Sequence, residues 1–142
     1  MELKPHAFVF VSCACALALP ALAAQSYWAV NSLRVYPITK DTYEVIEDRG
    51  AGARGIWCAA ADYVQAAGLD RVRLRMYVLE ERGPSRAVPG RFGVVFTINP
   101  DEKLRETPPS YSVSVNRRGE NLTVGHALNF CDAFINDLFD RF

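Results

Sequence analysis

The chain has 142 residues, half of them hydrophobic and 23% charged, with 16 Lys+Arg against 16 Asp+Glu. At roughly 150 residues per domain this is one domain at most, and the composition argues against disorder, collagen-like repeats and coiled coil. A formal charge of zero argues against nonspecific nucleic-acid binding, which draws on a basic excess.

Residues 1–24 read as a secretory signal peptide. Lys4 and the amino terminus give a weak positive start, an apolar stretch runs from Ala7 to Leu19, Pro20 breaks it, and Ala21-Leu22-Ala23 supplies small residues for cleavage. A spanning helix needs about 20 apolar residues, so a retained signal-anchor is the secondary reading. Phe10-Val11-Ser12 before Cys13 fits a lipidation site only loosely, and the apolar run continues through Ala14 to Ala24 where a polar tether belongs. Charges interrupt every later apolar run. The expectation is a periplasmic or secreted domain over 25–142, with no stable membrane insertion after cleavage.

Cleavage leaves two cysteines, Cys58 and Cys131, and one histidine, His126. Two cysteines in an oxidising compartment most simply form one disulfide. With no CxxC or HxxH pair, the sequence implies neither a metal nor a cofactor.

Strands are predicted over Trp28 to Tyr36, where the alternation is imperfect and Pro37 sets the limit, and over Thr42 to Glu47. Gly50-Ala51-Gly52-Ala53-Arg54-Gly55 reads as a loop. Ile56 to Ala67 follows helical spacing through Ile56, Trp57, Ala60, Ala61 and Val64, and Gly68 is a natural stop. Arg71 to Leu79 alternates Val72, Leu74, Met76 and Val78 with Arg71, Arg73, Arg75 and Tyr77, predicting a strand with one core face and one wet face. Gly83-Pro84 and Pro89-Gly90 mark Glu80 to Gly90 as a loop. Phe92 to Ile98 is a strand, Asp101 to Pro109 a loop, and Tyr111 to Arg117 a further alternating strand. Thr123 can cap a last helix from Val124 to about Asp140. The order β-β-α-β-β-β-α predicts an α+β fold: a mainly antiparallel sheet of about five strands with two helices on one face. A bridge between Cys58 and Cys131 would clamp those helices together.

Gly50, Gly52 and Gly55 match G-x-G-x-x-G, but a dinucleotide site is rejected. The preceding strand carries Glu44, Glu47 and Asp48, and Asp70 precedes the next strand where the ribose-binding acid should follow it. A simpler anion site survives as an expectation: backbone donors at Gly50, Gly52 and Gly55 flanked by Arg49 and Arg54, set against the plainer reading of a turn into a helix. Arg71, Arg73 and Arg75 are expected about 7 Å apart along one strand face. That basic face suits an anionic ligand, or is a solvated face partly neutralised by Glu44 and neighbouring acids. No catalytic constellation emerges. Asp62, Tyr63 and His126 are the residues on which an enzyme reading would rest, and no spacing pairs them. Asn121-Leu122-Thr123 matches a glycosylation sequon.

Arg54-Gly55-Ile56-Trp57-Cys58-Ala59-Ala60-Ala61-Asp62-Tyr63, with Gly83-Pro84-Ser85, Gly93-Val94-Val95-Phe96-Thr97 and the late His126-Ala127-Leu128-Asn129-Phe130-Cys131 element, resembles a group of small exported alphaproteobacterial proteins. The resemblance implies an envelope location and a paired Cys58 and Cys131, and carries no catalytic residues over. The leading expectation is therefore a non-enzymatic envelope protein that binds a protein partner or an anionic ligand. The second is a small periplasmic hydrolase or other enzyme acting on envelope material.

Overall fold

In the computed structural model, which describes residues 25–69 and 73–139, the chain runs through ten elements. They are β1 (Tyr27–Trp28), β2 (Arg34–Pro37), β3 (Thr42–Ile46), α1 (Gly52–Ala66), β4 (Arg75–Pro84), β5 (Phe92–Thr97), α2 (Glu102–Arg105), β6 (Asn121–Thr123), α3 (Val124–Leu128) and α4 (Asp132–Phe139). The predicted signal peptide, and Asp70, Arg71 and Val72, lie outside the described residues. One sheet holds the strands in the order β1-β2-β3-β5-β4-β6, every neighbouring pair antiparallel. The fold is α+β as expected, with six strands rather than about five.

Strand register divides the sheet into two faces. Tyr27 pairs with Val35, Val35 with Val45, and Val45 with Val94, while Tyr43 and Val78 both lie opposite Phe96. These residues form the inner face, where α1 packs through Ile56, Trp57, Ala60, Ala61 and Val64. The alanines let helix and sheet approach closely. Trp57 and Ile56 are sealed in this core, each burial contributing about 1.5–3 kcal/mol. An aromatic row from Tyr27 through Tyr63, Tyr43 and Phe96 to Trp57 crosses the layer, with ring centroids 4.8–6.0 Å apart. The Trp57 indole N–H donates to the Val113 carbonyl at 3.0 Å, so one indole ties α1 to the long connection before β6.

Several predicted elements are corrected. The strand Trp28–Tyr36 is two strands, β1 and β2, because the chain reverses at Val30-Asn31-Ser32 with Ser32 left-handed at φ 64°. The imperfect alternation was that turn. Helix α1 begins at Gly52 rather than Ile56, so Gly55 lies inside it, buried. A Cβ on Gly55 would come 3.2 Å from Phe134 and 2.7 Å from the Ala51 Cβ, so α1 and α4 meet only because this position is bare. The strand predicted over Arg71 to Leu79 is displaced: Arg73 is left-handed at φ 65° in a turn, and β4 runs from Arg75 into the first half of the predicted loop, to Pro84. Its pairing with β5 slips between Val78 and Glu80 and again between Glu80 and Gly83, which hides the alternation.

The predicted strand Tyr111–Arg117 is not a strand. Ser110, Ser112 and Ser114 each accept the backbone N–H two residues on, taking the donors a ladder would use. Asn121–Thr123 pairs with β4 in its place. The single last helix is two, α3 and α4, separated where Asn129, Phe130 and Cys131 donate to carbonyls three residues back. The Cys131 carbonyl accepts from Phe134 and Ile135 to start α4, and a Cys58–Cys131 disulfide with Cα atoms 5.1 Å apart fastens α1 to it.

Candidate binding groove

The outer face of the sheet is partly covered rather than wet. Glu44 points into it, 1% exposed, with Val95 opposite. Its Oε1 accepts the Arg86 backbone N–H at 3.1 Å and its Oε2 that of Ala87 at 2.9 Å. The Ser85 hydroxyl accepts the Ala87 and Val88 N–H groups and shapes the same loop. Gly93 makes room, since a Cβ there would fall 2.5 Å from Glu44 Oε1. One buried carboxylate thus pins the β4–β5 connection across the sheet. It is not an exposed counter-charge for the arginines.

Beside this loop lies a groove of about 270 Å³, lined by Trp28, Ser32, Arg34, Tyr36, Ile46, Asp48, Val88 and Arg91. Trp28 pairs with Arg34 across β1 and β2, which sets both on the outer face. Trp28 is 55% exposed and carries the Arg34 guanidinium 4.3 Å from its ring centroid. Tyr36 and Ile46 continue the floor, and the latched loop supplies Val88. Asp48 and Arg91 close the far side as an ion pair at 3.0 Å, and Arg91 also donates to the Glu47 carbonyl. The Arg91 hydrogen bond, helped by the Arg49 N–H, holds the Asp48 carboxyl below the ordinary carboxylate range. The groove therefore offers an aromatic shelf, an arginine without a carboxylate partner among the described residues, and a second arginine whose charge Asp48 offsets.

The predicted site residues are dispersed. Gly50 and Gly52 are left-handed, at φ 65° and 64°. The Gly55 N–H is taken by the Ala51 carbonyl, and its own carbonyl accepts from Asn31. Arg49 donates its N–H to Asp48, and the Arg54 guanidinium lies 5.7 Å from the Phe130 ring centroid. The arginine stripe is not a strand face: Arg71 is outside the described residues, Arg73 is in the turn, and Arg75 in β4 donates to Asn121 Oδ1 at 2.7 Å. Arg82 and Arg86 instead pair with Glu47 and Glu80.

Asp62 Oδ2 accepts both the Tyr27 hydroxyl at 2.8 Å and the Val30 N–H at 2.9 Å, stapling β1 and its turn to α1. Burial, with the Asp62 hydrogen bond and charge, pushes the Tyr27 hydroxyl up to about 12; burial also raises Tyr63 and carries Tyr43 well above the ordinary range. His126 borders a different cavity, which neither Asp62 nor Tyr63 lines. The sequon asparagine, Asn121, is 1% exposed, and its amide is bonded to Gly119 and Pro108 carbonyls.

Sequence reasoning missed the groove residues Trp28, Arg34, Tyr36 and Arg91. The available signal was parity: once Val30-Asn31-Ser32 is a turn, Trp28, Arg34 and Tyr36 fall on one face. Among the described residues no helix is long and apolar enough to cross a membrane. Compared with protein-family models, curated proteins and solved structures, the chain finds no match.

Proposed function

We propose that this chain is an exported, non-enzymatic envelope protein that binds an anionic ligand or an acidic partner in the groove of Trp28, Arg34 and Arg91. The single observation that carries the reading is the exposed Trp28 with Arg34 stacked on it at the groove wall. Tryptophan and arginine are enriched among the residues that dominate recognition energy, and here both stand at the wall of one groove. Arg34, without a carboxylate partner among the described residues, sets the sign of the ligand, since Asp48 offsets Arg91. An export signal over residues 1–24 and the Cys58–Cys131 bridge support an oxidising envelope compartment.

The test is affinity capture of the tagged mature protein from the periplasm, wild type beside Trp28→Ala/Arg34→Ala, with Trp28 fluorescence followed as the captured component is titrated back. The reading expects a component retained by wild type, lost from the double variant, and able to shift the indole emission. Identical captured sets from both proteins would overturn it.

A further inference from the structure

A second cavity, independent of the groove, lies at the opposite edge of the sheet beside β6. It measures about 270 Å³ and is lined by Arg75, Pro109, Ser110, Tyr111, Leu122, Thr123 and His126. Its polar chemistry is one-sided. The groove includes a carboxylate, Asp48, and so do two further cavities among the described residues, one bordered by Glu120 and one by Asp41. The cavity beside β6 has none. Arg75 has no carboxylate partner among the described residues; its polar contact is the neutral Asn121.

The lining is arranged to donate. Asn121 is buried, and its amide is fixed by two backbone carbonyls, so its Oδ1 aims Arg75 while using one of the guanidinium's five N–H groups. Ser110 Oγ already accepts the Ser112 N–H, and Thr123 Oγ1 already accepts the His126 N–H. Each hydroxyl therefore has its hydrogen left to give. His126 is held near Phe130, with ring centroids 5.5 Å apart. Against these donors stand Pro109 and the ring of Tyr111, which is 94% exposed, while Leu122 borders the cavity from the core and is itself buried.

We infer that this cavity is a binding site for a small organic oxyanion, a phosphate monoester or carboxylate on an apolar or aromatic body. The anionic end sits at Arg75, Ser110 and Thr123, and the body rests against Tyr111 and Pro109. An arginine fork matches either oxyanion. The volume, about 270 Å³, falls just below the roughly 300–1,000 Å³ of ligand sites, which limits the ligand to a small molecule or the tip of a larger one.

Calorimetric titration of the mature protein with inorganic phosphate, phenyl phosphate, benzoate and neutral phenol, at low and moderate salt, tests the assignment. Phenyl phosphate or benzoate is expected to bind at least tenfold more tightly than either phosphate or phenol, and more weakly as salt rises; the preferred headgroup identifies the oxyanion. Arg75→Gln, which keeps a donor for Asn121, should lose at least tenfold in affinity. Tyr111→Ala, at an exposed position, should fold normally and lose most of the aromatic advantage, and the losses at Arg75 and Tyr111 should both persist in a Trp28→Ala/Arg34→Ala background, where the groove no longer contributes. Equal affinities for wild type and a folded Arg75→Gln, an unchanged aromatic preference in Tyr111→Ala, or binding of phenol as tight as that of phenyl phosphate would overturn it. Because the groove variants are read separately, failure here leaves the groove proposal standing, and the reverse also holds.

Discussion

Glu44→Gln isolates what holds the β4–β5 connection over the sheet. Glutamine preserves the shape but offers one acceptor oxygen where the carboxylate offers two; Ala87 keeps a second acceptor in the Ser85 hydroxyl, so the loss falls on whichever of the Arg86 and Ala87 N–H groups faces the amide donor and is largest at Arg86. A hydrogen bond to a charged group contributes about 1.5–3 kcal/mol, and a buried donor left unpaired costs about 1–3 kcal/mol. Part of this is offset, because the variant no longer carries a desolvated charge. The net expectation is a loss of about 2 kcal/mol. At roughly 4 °C per kcal/mol for a domain of this size, the melting temperature should fall by about 8 °C. Thermal and urea denaturation measure the global effect, and amide hydrogen exchange should show Arg86 and Ala87 losing protection before the strands do. Glu47→Gln is the control: its ion pair with Arg82 is partly exposed and should contribute less than about 1 kcal/mol. A Glu44→Gln protein that melts with wild type and keeps those two amides protected would refute the latch.

Two further outcomes are expected. Cys58→Ser/Cys131→Ser opens a link between residues 73 positions apart, worth roughly 4 kcal/mol by the chain-entropy argument, and should lower the denaturation midpoint; two free thiols in protein purified without reductant would contradict the bridge. Tyr27 should ionise near 12 when followed by ultraviolet absorbance, and Asp62→Asn should lower it part of the way, with burial, the larger cause, still holding it above the ordinary tyrosine range. The folded state holds this proton more tightly than the unfolded one, so the contribution is complete below about pH 10 and is lost as pH rises through about 12. A Tyr27 that titrates near 10 in the wild type would remove it.

The parts of the fold legible in the sequence are those where one periodicity runs uninterrupted. Ile56, Trp57, Ala60, Ala61 and Val64 describe α1, and Phe92 to Ile98 contains β5 with one residue to spare. Legibility fails where a local bond outcompetes a regular pattern. Tyr111 to Arg117 alternates well enough, and Val113 and Val115 do pack inward, yet the intervening serines consume the backbone donors. In β4, the slips after Val78 and Glu80 conceal a strand behind what look like turn residues, and Pro84 is tolerated because it ends the strand. The site was less legible still. Both cavities join residues remote in sequence, Trp28 with Arg91 and Arg75 with His126, and only the strand order brings each pair together.

The strand order also sets when the molecule can become stable as it is made. β3 finds its second neighbour only in β5, after α1 and β4 have been produced, and β5 must enter between two strands whose facing edges are both still open. A chain that has reached the end of α1 holds a three-stranded meander and an amphipathic helix, with Tyr43 and Val45 lacking the far half of their core. Pairing of this non-local kind belongs with folding times of milliseconds to seconds rather than microseconds. The open edge of β3 is therefore the feature a holding factor would need to cover until Thr97 has emerged.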